Sequence, residues 1–313
     1  STRDYVTQTT CPINTKMLTV LFNFGAEFME LENDIVITGK VVGYKGDNSL
    51  IKGVISNEHS LDPIKVELIR KQFQIVGDIS LIPMLETELF GYFNNNHSEA
   101  LIIPSMWESG GTEKTILRLK KLRERFDLHV SSNLNKIFDQ SSTKFLISPL
   151  VNEAEGLKIQ AHEYALHELG HISNNSLLKK YKQGVFSNLS CQAIEELRAD
   201  LIGWAIAHNV FDSAYCVDIF LSTLCLRLGY DYHRFDNDLN PHSLCGEMYI
   251  QFLKHKKVIK KENGKYKFCD ISFDFMELFD ELINWAIESS INVDSYEYGL
   301  DKKILKKIGA WYE

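Results

Sequence analysis

The 313-residue chain carries a formal net charge of −8 at pH 7 and a pI near 5.7, with 44% hydrophobic and 24% charged residues. This is the composition of a globular chain with ample core, and its acidity argues against a nucleic-acid backbone or an anionic membrane as the main partner. No run approaches the ~18 apolar residues of a membrane span. The N-terminus, Ser1-Thr2-Arg3-Asp4-Tyr5, opens no basic-then-apolar leader. Cys11, Cys191, Cys216, Cys225, Cys245 and Cys269 form no C-x-x-C pair, the pattern of reduced and mostly buried thiols. The expected location is the cytoplasm.

The first half reads as mixed α/β. Short β-like runs at Thr19–Phe24, Asp34–Val42, Leu50–Ile55, Phe73–Ile82 and Lys144–Val151 are separated by Gly, Asn and Asp punctuation. A helix is predicted from the cap Asp62-Pro63 to about Gln72, and another from Thr112 to Phe126, where Ile116, Leu117, Leu119 and Leu122 recur among charges. From Leu157 onward the helical period dominates. Helices are predicted near 157–172, 191–209, 212–229, 241–256, 272–289 and 300–311, with a hairpin whose arms Lys257–Lys261 and Lys265–Cys269 flank Asn263-Gly264. The expectation is an α+β fold of two regions, a mixed α/β region over 1–150 and a mainly helical one over 151–313, divided near Ser148-Pro149.

Chemistry concentrates in the second region. His167-Glu168-Leu169-Gly170-His171 places two imidazoles one helical turn apart, with a glutamate between them. That spacing suits Zn²⁺, and the glutamate suits a general base acting on a zinc-bound water. Such a site needs a third ligand. Glu195-Glu196-Leu197-Arg198-Ala199-Asp200 supplies carboxylates on a segment whose Ile194, Leu197, Leu201 and Ile202 mark a buried stripe. Glu196 and Asp200 share a face one turn apart, so one can bind metal while the other accepts a hydrogen bond from the far nitrogen of a histidine ligand. Alone, Glu-Glu-x-Arg-x-Asp would read as a solvated helix face; beside a His-Glu-x-x-His helix it reads as the missing ligand.

The two motifs together resemble the zinc motifs of the dipeptidyl peptidase III family. The resemblance implies a helical, gluzincin-like (zincin-like) catalytic half with zinc on His167, His171 and Glu196. It also implies Glu168 as the base, and Glu195 and Asp200 as the groups orienting the two histidines. Beyond the second motif, His242 in Asn240-Pro241-His242-Ser243-Leu244-Cys245 matches a family histidine that helps stabilise the transition state. The resemblance covers about residues 155–290, and the chain departs from it in three ways. Its first motif has five residues where most members have six, Gly246 stands where the family carries an arginine, and the chain is less than half the usual family length.

Other residues read more plainly. His162-Glu163 lacks a partner at Leu166, and Tyr164 and Tyr181 suit packing. Tyr230, Tyr232 and His233 form an aromatic cluster that could supply an oxyanion donor, and Trp107-Glu108-Ser109-Gly110-Gly111 a turn lining a cleft. The function expected is that of a zinc-dependent hydrolase of peptides or small amide-containing molecules, a metallopeptidase or amidase. The alternative is a non-proteolytic zinc enzyme, an isomerase, lyase or biosynthetic enzyme acting on a small metabolite.

Overall fold

A computed structural model describes residues 20–21, 27–31, 34–41, 48–75, 79–94, 99–103, 113–173, 189–232, 241–291, 306 and 309–311. The fold is α+β, with two compact units through which the chain passes more than once. The sheet unit spans Ile13–Leu61 and Gly77–Arg125, and the helical unit includes Asp62–Val76 and everything from Phe126 onward. Ser148-Pro149, the expected dividing point, forms a 3₁₀ turn (Ser148–Leu150) inside the helical unit.

The sheet unit holds a seven-stranded mixed sheet in the order β1-β6-β7-β5-β4-β3-β2. Its strands are β1 (Val20–Leu21), β2 (Glu27–Leu31), β3 (Asp34–Gly39), β4 (Ser49–Ile55), β5 (Ile79–Phe90), β6 (Ala100–Ile103) and β7 (Glu113–Arg118). β3 and β4 alternate buried and half-buried residues, the period-two signature of a sheet with one covered face. Ile35, Ile37, Ile51, Met84, Phe93, Leu101 and Ile116 form its core.

Two sequence expectations fail here for one reason. The predicted helix over 112–126 is β7 followed by a short helix α2 (Leu119–Arg125), and the predicted strand over 144–151 is the helix α4 (Gln140–Ile147). Short apolar runs carry no decisive period. Partners decided the first, since β7 pairs with β5 and β6; a local cap decided the second, since the Asp139 carboxylate accepts from the Ser142 amide at 2.8 Å. β5 also begins later than expected and runs on to Phe90.

In the helical unit, α1 (Pro63–Gln72) and α3 (Ser131–Ile137) precede α5 (Glu153–Ile172), which is capped by Asn152 accepting from the Glu155 amide at 3.1 Å. Then come α6 (Leu189–Val210), α7 (Ser213–Leu226), α8 (Pro241–His255), the hairpin β8 (Ile259–Glu262) and β9 (Lys265–Phe268), and α9 (Phe275–Ile291). Asn263 and Gly264 both take positive φ at the hairpin turn, as an Asn-Gly turn requires. Of the helix expected at 300–311, residues 306 and 309–311 are described and are helical.

α6 is the central member. From Ala193 to Ala207 all its residues but Glu196 are buried, so it presents no solvated face and must match every neighbour. Trp204 anchors it, with ring centroids 4.3 Å from Phe220 and 4.9 Å from Phe279 and its indole N–H donating to Thr223 Oγ1 at 3.0 Å. Against α5 the backbones meet at Gly170, where any Cβ would collide with the Ala199 carbonyl oxygen. That close approach brings the two motifs into register. Gly170→Ala is therefore expected to lower stability in chemical denaturation: an overpacking cost of about 1–3 kcal/mol against rigid backbone exceeds the ~1 kcal/mol that alanine gains in helix propensity.

Candidate functional site

α5 carries His167, Glu168 and His171, and α6 carries Glu195, Glu196, Arg198 and Asp200. Burial excludes a solvated charged helix face here: Glu195, Arg198 and Asp200 are 2%, 0% and 2% exposed. Ionised groups this deep must be paired. His167 Nδ1 donates to Asp200 Oδ1 at 2.8 Å, and His171 Nδ1 donates to Glu195 Oε1 at 3.3 Å. Arg198 answers Glu195 with Nε to Oε2 at 2.9 Å and Nη2 to Oε1 at 2.7 Å, and its Nη1 donates to Ser173 Oγ at 3.1 Å.

These bonds dictate what lies between the histidines. With both Nδ1 atoms donating, each neutral ring carries its lone pair on Nε2. The two Nε2 atoms are 3.0 Å apart, and Glu196 closes the third side with Oε2 3.3 Å from His167 Nε2 and Oε1 3.7 Å from His171 Nε2. One ligand atom from each of His167, His171 and Glu196 fits within a mutual 4.8 Å. Three acceptors converging without a donor require a cation or a proton. A tetrahedral zinc ion with Zn–N bonds of ~2.0–2.1 Å sets its nitrogens about 3.3 Å apart, close to the spacing present.

The charge balance agrees. Glu195, Glu196, Asp200 and Asp231 face the two guanidinium groups of Arg198 and Arg227, an excess of carboxylates that a cation would offset. In the metal-free protein a proton takes part of that role. Burial depresses the His167 pKa, yet Asp200 and Glu196 outweigh it and raise the value well above 6.5. Burial likewise works against ionised Glu196, while His242, His167 and His171 hold its carboxyl well below the usual range.

Arg227 had no place in the sequence reading. It opens a π turn (Arg227–Asp231) that follows α7, where the sequence predicted helix as far as Gly229. Its Nε and Nη2 donate to Asp200 Oδ2 and Oδ1 at 2.8 and 2.9 Å, its Nη2 to Glu196 Oε2 at 3.1 Å, and its Nη1 to Asp231 Oδ2 at 3.0 Å. The signal was present as an arginine closing the apolar run Ile219–Leu226, an expensive place for a cation without a buried partner. Tyr249 on α8 donates to the same Asp200 Oδ2 at 3.1 Å.

His242, in the first turn of α8, comes 3.2 Å from Glu196 Oε2 with Nδ1, and its side chain is 43% exposed. Burial lowers its pKa, but Glu196 and Asp231 raise it overall. Glu168 is half-buried on α5 between the two histidines. Gly246 is required where it stands, since a Cβ there would lie 2.5 Å from the Arg227 carbonyl oxygen. His162 is structural, with Nδ1 3.0 Å from Tyr215 Oη and the ring stacked 5.1 Å from Phe211. Tyr164 and Tyr232 are half-buried, and Tyr230 packs 5.7 Å from the His129 ring. Tyr181, His233 and the Trp107–Gly111 turn lie outside the described residues.

The sequence matches no family model and no curated protein. Its fold is similar to that of solved structures that include DPP III from Caldithrix abyssi, with a TM-score of 0.57 and 15% identity over 87% of this chain and 55% of that one. Dipeptidyl-peptidase III from Corallococcus sp. strain EGB gives a TM-score of 0.53 and 14% identity over 90% of this chain and 57% of that one. The chain thus spans slightly more than half the length of these structures, and the likeness reaches well beyond residues 155–290. At such identities it shows a shared fold.

The Asp200 pKa fixes a pH dependence. Burial opposes its ionisation, but Arg227 and His167 hold it at about 2, down from 3.8. Its contribution to stability is complete above the unfolded value and is lost as pH falls through the folded one. The metal-free protein should lose about 2 kcal/mol of unfolding free energy from this group between pH 5 and pH 2. Urea titrations across that range check it, and Asp200→Asn should flatten the profile.

Proposed function

We propose that the chain is a zinc-dependent hydrolase that cleaves an amide bond in a peptide or a small amide-containing molecule. The observation that carries this reading is the convergence of His167 Nε2, His171 Nε2 and the Glu196 carboxylate, with each histidine held by its own buried carboxylate. The distant fold likeness to dipeptidyl peptidase III structures supports the same class.

In this reading His167, His171 and Glu196 hold the ion, while Asp200 and Glu195 fix the ring tautomers and raise ligand basicity. A bound zinc supplies Lewis acidity toward a water molecule and a substrate carbonyl. The Glu168 carboxylate takes the proton from the attacking water and delivers it to the leaving nitrogen, so the residue ends as it began. His242, beside Glu196 and open to solvent, or a tyrosine near residue 230, stabilises the oxyanion.

Glu168→Gln is expected to retain zinc while turnover falls about 10²–10⁴-fold. Glu196→Ala is expected to lose zinc affinity. Metal analysis of both purified variants and of the wild type tests this, and a wild type that takes up no zinc overturns the reading.

A second reading rests on Gly246. The close approach of α8 to the Arg227 backbone leaves no room for a side chain where related peptidases carry an arginine, so substrate recognition there must differ. A small metabolite, with an isomerase, lyase or biosynthetic step, fits that loss. Digestion of a peptide library by zinc-loaded protein discriminates the two: cleavage products favour the peptidase, and full zinc occupancy without cleavage favours the metabolite. Among the described residues no helix is long and apolar enough to cross a membrane. Cys216, Cys225 and Cys245 are buried free thiols, in keeping with the proposed cytoplasmic location.

A further inference from the structure

Between Lys254 and Lys267 the chain carries seven lysines against one glutamate, a local charge of +6 on a chain whose total is −8. The segment comprises the last turn of α8, a chain reversal at Lys257 (φ 58°) and the hairpin β8–β9. Lys254, Lys256, Lys257, Lys260, Lys261 and Lys265 are all exposed. Of these, among the described residues, only Lys260 forms an ion pair, with Glu262 at 2.7 Å. The patch begins about 18 Å along α8 from His242, well away from the candidate zinc site.

The two edges of the hairpin differ. β9 is covered: Phe138 bridges Tyr266 in parallel, and the Asp139 amide donates to the Tyr266 carbonyl at 2.9 Å. β8 is open. The Cys269 amide donates to the Val258 carbonyl at 2.8 Å, and bonded pairs alternate along an antiparallel ladder. Lys260 and Glu262 therefore turn their backbone groups toward β9, while Ile259 and Lys261 turn theirs outward. Among the described residues no backbone group meets them there.

We propose that the outer edge of β8 is a docking site for an extended acidic segment of a partner protein, which adds as a further strand and sets its carboxylates against the surrounding lysines. Lysine on an edge strand ordinarily guards against pairing with a like copy, a task that needs few charges. Here Lys260 also stands directly opposite Lys267, a like-charge pair that weakens the hairpin itself. An anion laid along the strand offsets that repulsion, and the acidic remainder of the chain steers it toward this one face.

The chemistry of the surface selects a peptide among polyanions. Single-stranded nucleic acid needs exposed aromatic faces for its bases, whereas Tyr266 is half-buried with Lys261 Nζ 5.7 Å over its ring. A lipid surface needs apolar side chains beside the basic ones, whereas Ile259 and Phe268 are buried and the hairpin tip is Asn263-Gly264. An extended peptide uses what is present, the outward N–H and C=O groups for its backbone and the lysines for its side chains. Every second side chain of such a strand falls on one face, and Lys260, Lys265 and Lys267 share one face of the hairpin.

Fluorescence anisotropy of a labelled peptide of alternating glutamate and threonine, titrated with wild-type protein at low and at physiological salt, tests this. Binding should weaken as salt rises. The same peptide N-methylated at every residue keeps its charge but loses its amide donors, and it should bind about tenfold or more weakly. Lys260→Glu combined with Lys267→Glu should weaken the unmodified peptide about as much, with circular dichroism confirming the fold. No binding at low salt overturns the site, as does a folded double variant that binds like the wild type. Equal binding of the N-methylated peptide overturns strand addition; that comparison uses wild-type protein and stands whether or not the variant folds. Vesicles of anionic phospholipid and a single-stranded oligonucleotide serve as competitors. If either displaces the peptide at a lower concentration than unlabelled peptide does, the surface suits that class and the proposal fails.

Discussion

Buried carboxylates on one helix organise the helical unit. Glu195 and Asp200 lie inside α6 with almost no exposure, and neither could remain ionised there alone. Each is answered twice, by a guanidinium from one side and an imidazole from the other: Arg198 and His171 for Glu195, Arg227 and His167 for Asp200. The positions of α5, of the turn after α7 and of α8 follow from where those partners must stand. Packing then does the rest, with Trp204 filling the space among α6, α7 and α9 and Gly170 setting the α5–α6 distance.

The candidate site was legible in the sequence because its main pairs are local. His167 and His171 are one turn apart, as are Glu196 and Asp200, and helical geometry alone puts each pair on a common face. The match of Asp200 with His167 and of Glu195 with His171 joins just two elements. Arg227 announced only a cation in need of a buried partner, and which partner was illegible for the opposite reason. Its partners lie on α6, α8 and its own π turn, and no short-range period announces such an encounter. Gly246 was read as a missing arginine, whereas in the fold it is a contact point for the Arg227 backbone.

The fold class was likewise readable, while several individual elements were not. The chain enters the helical unit at Asp62, leaves after Val76 and returns at Phe126, so α1 packs with α6, far along the sequence. Composition averaged along the chain cannot reveal that weaving. Nor could it separate β7 from α2, where Thr115, Ile116 and Leu117 are strand residues held by neighbours on both sides, and Leu119 and Leu122 belong to the helix that follows.

The double answering of each carboxylate has a consequence for the life of the protein. Rings, carboxylates and guanidinium groups are locked to one another by bonds that do not involve an ion, and the aromatic core behind them is complete. A centre built in this way behaves as a socket and not as a staple. On the proposed reading an ion would add to charges that already answer one another, and occupancy would follow its supply in the surroundings.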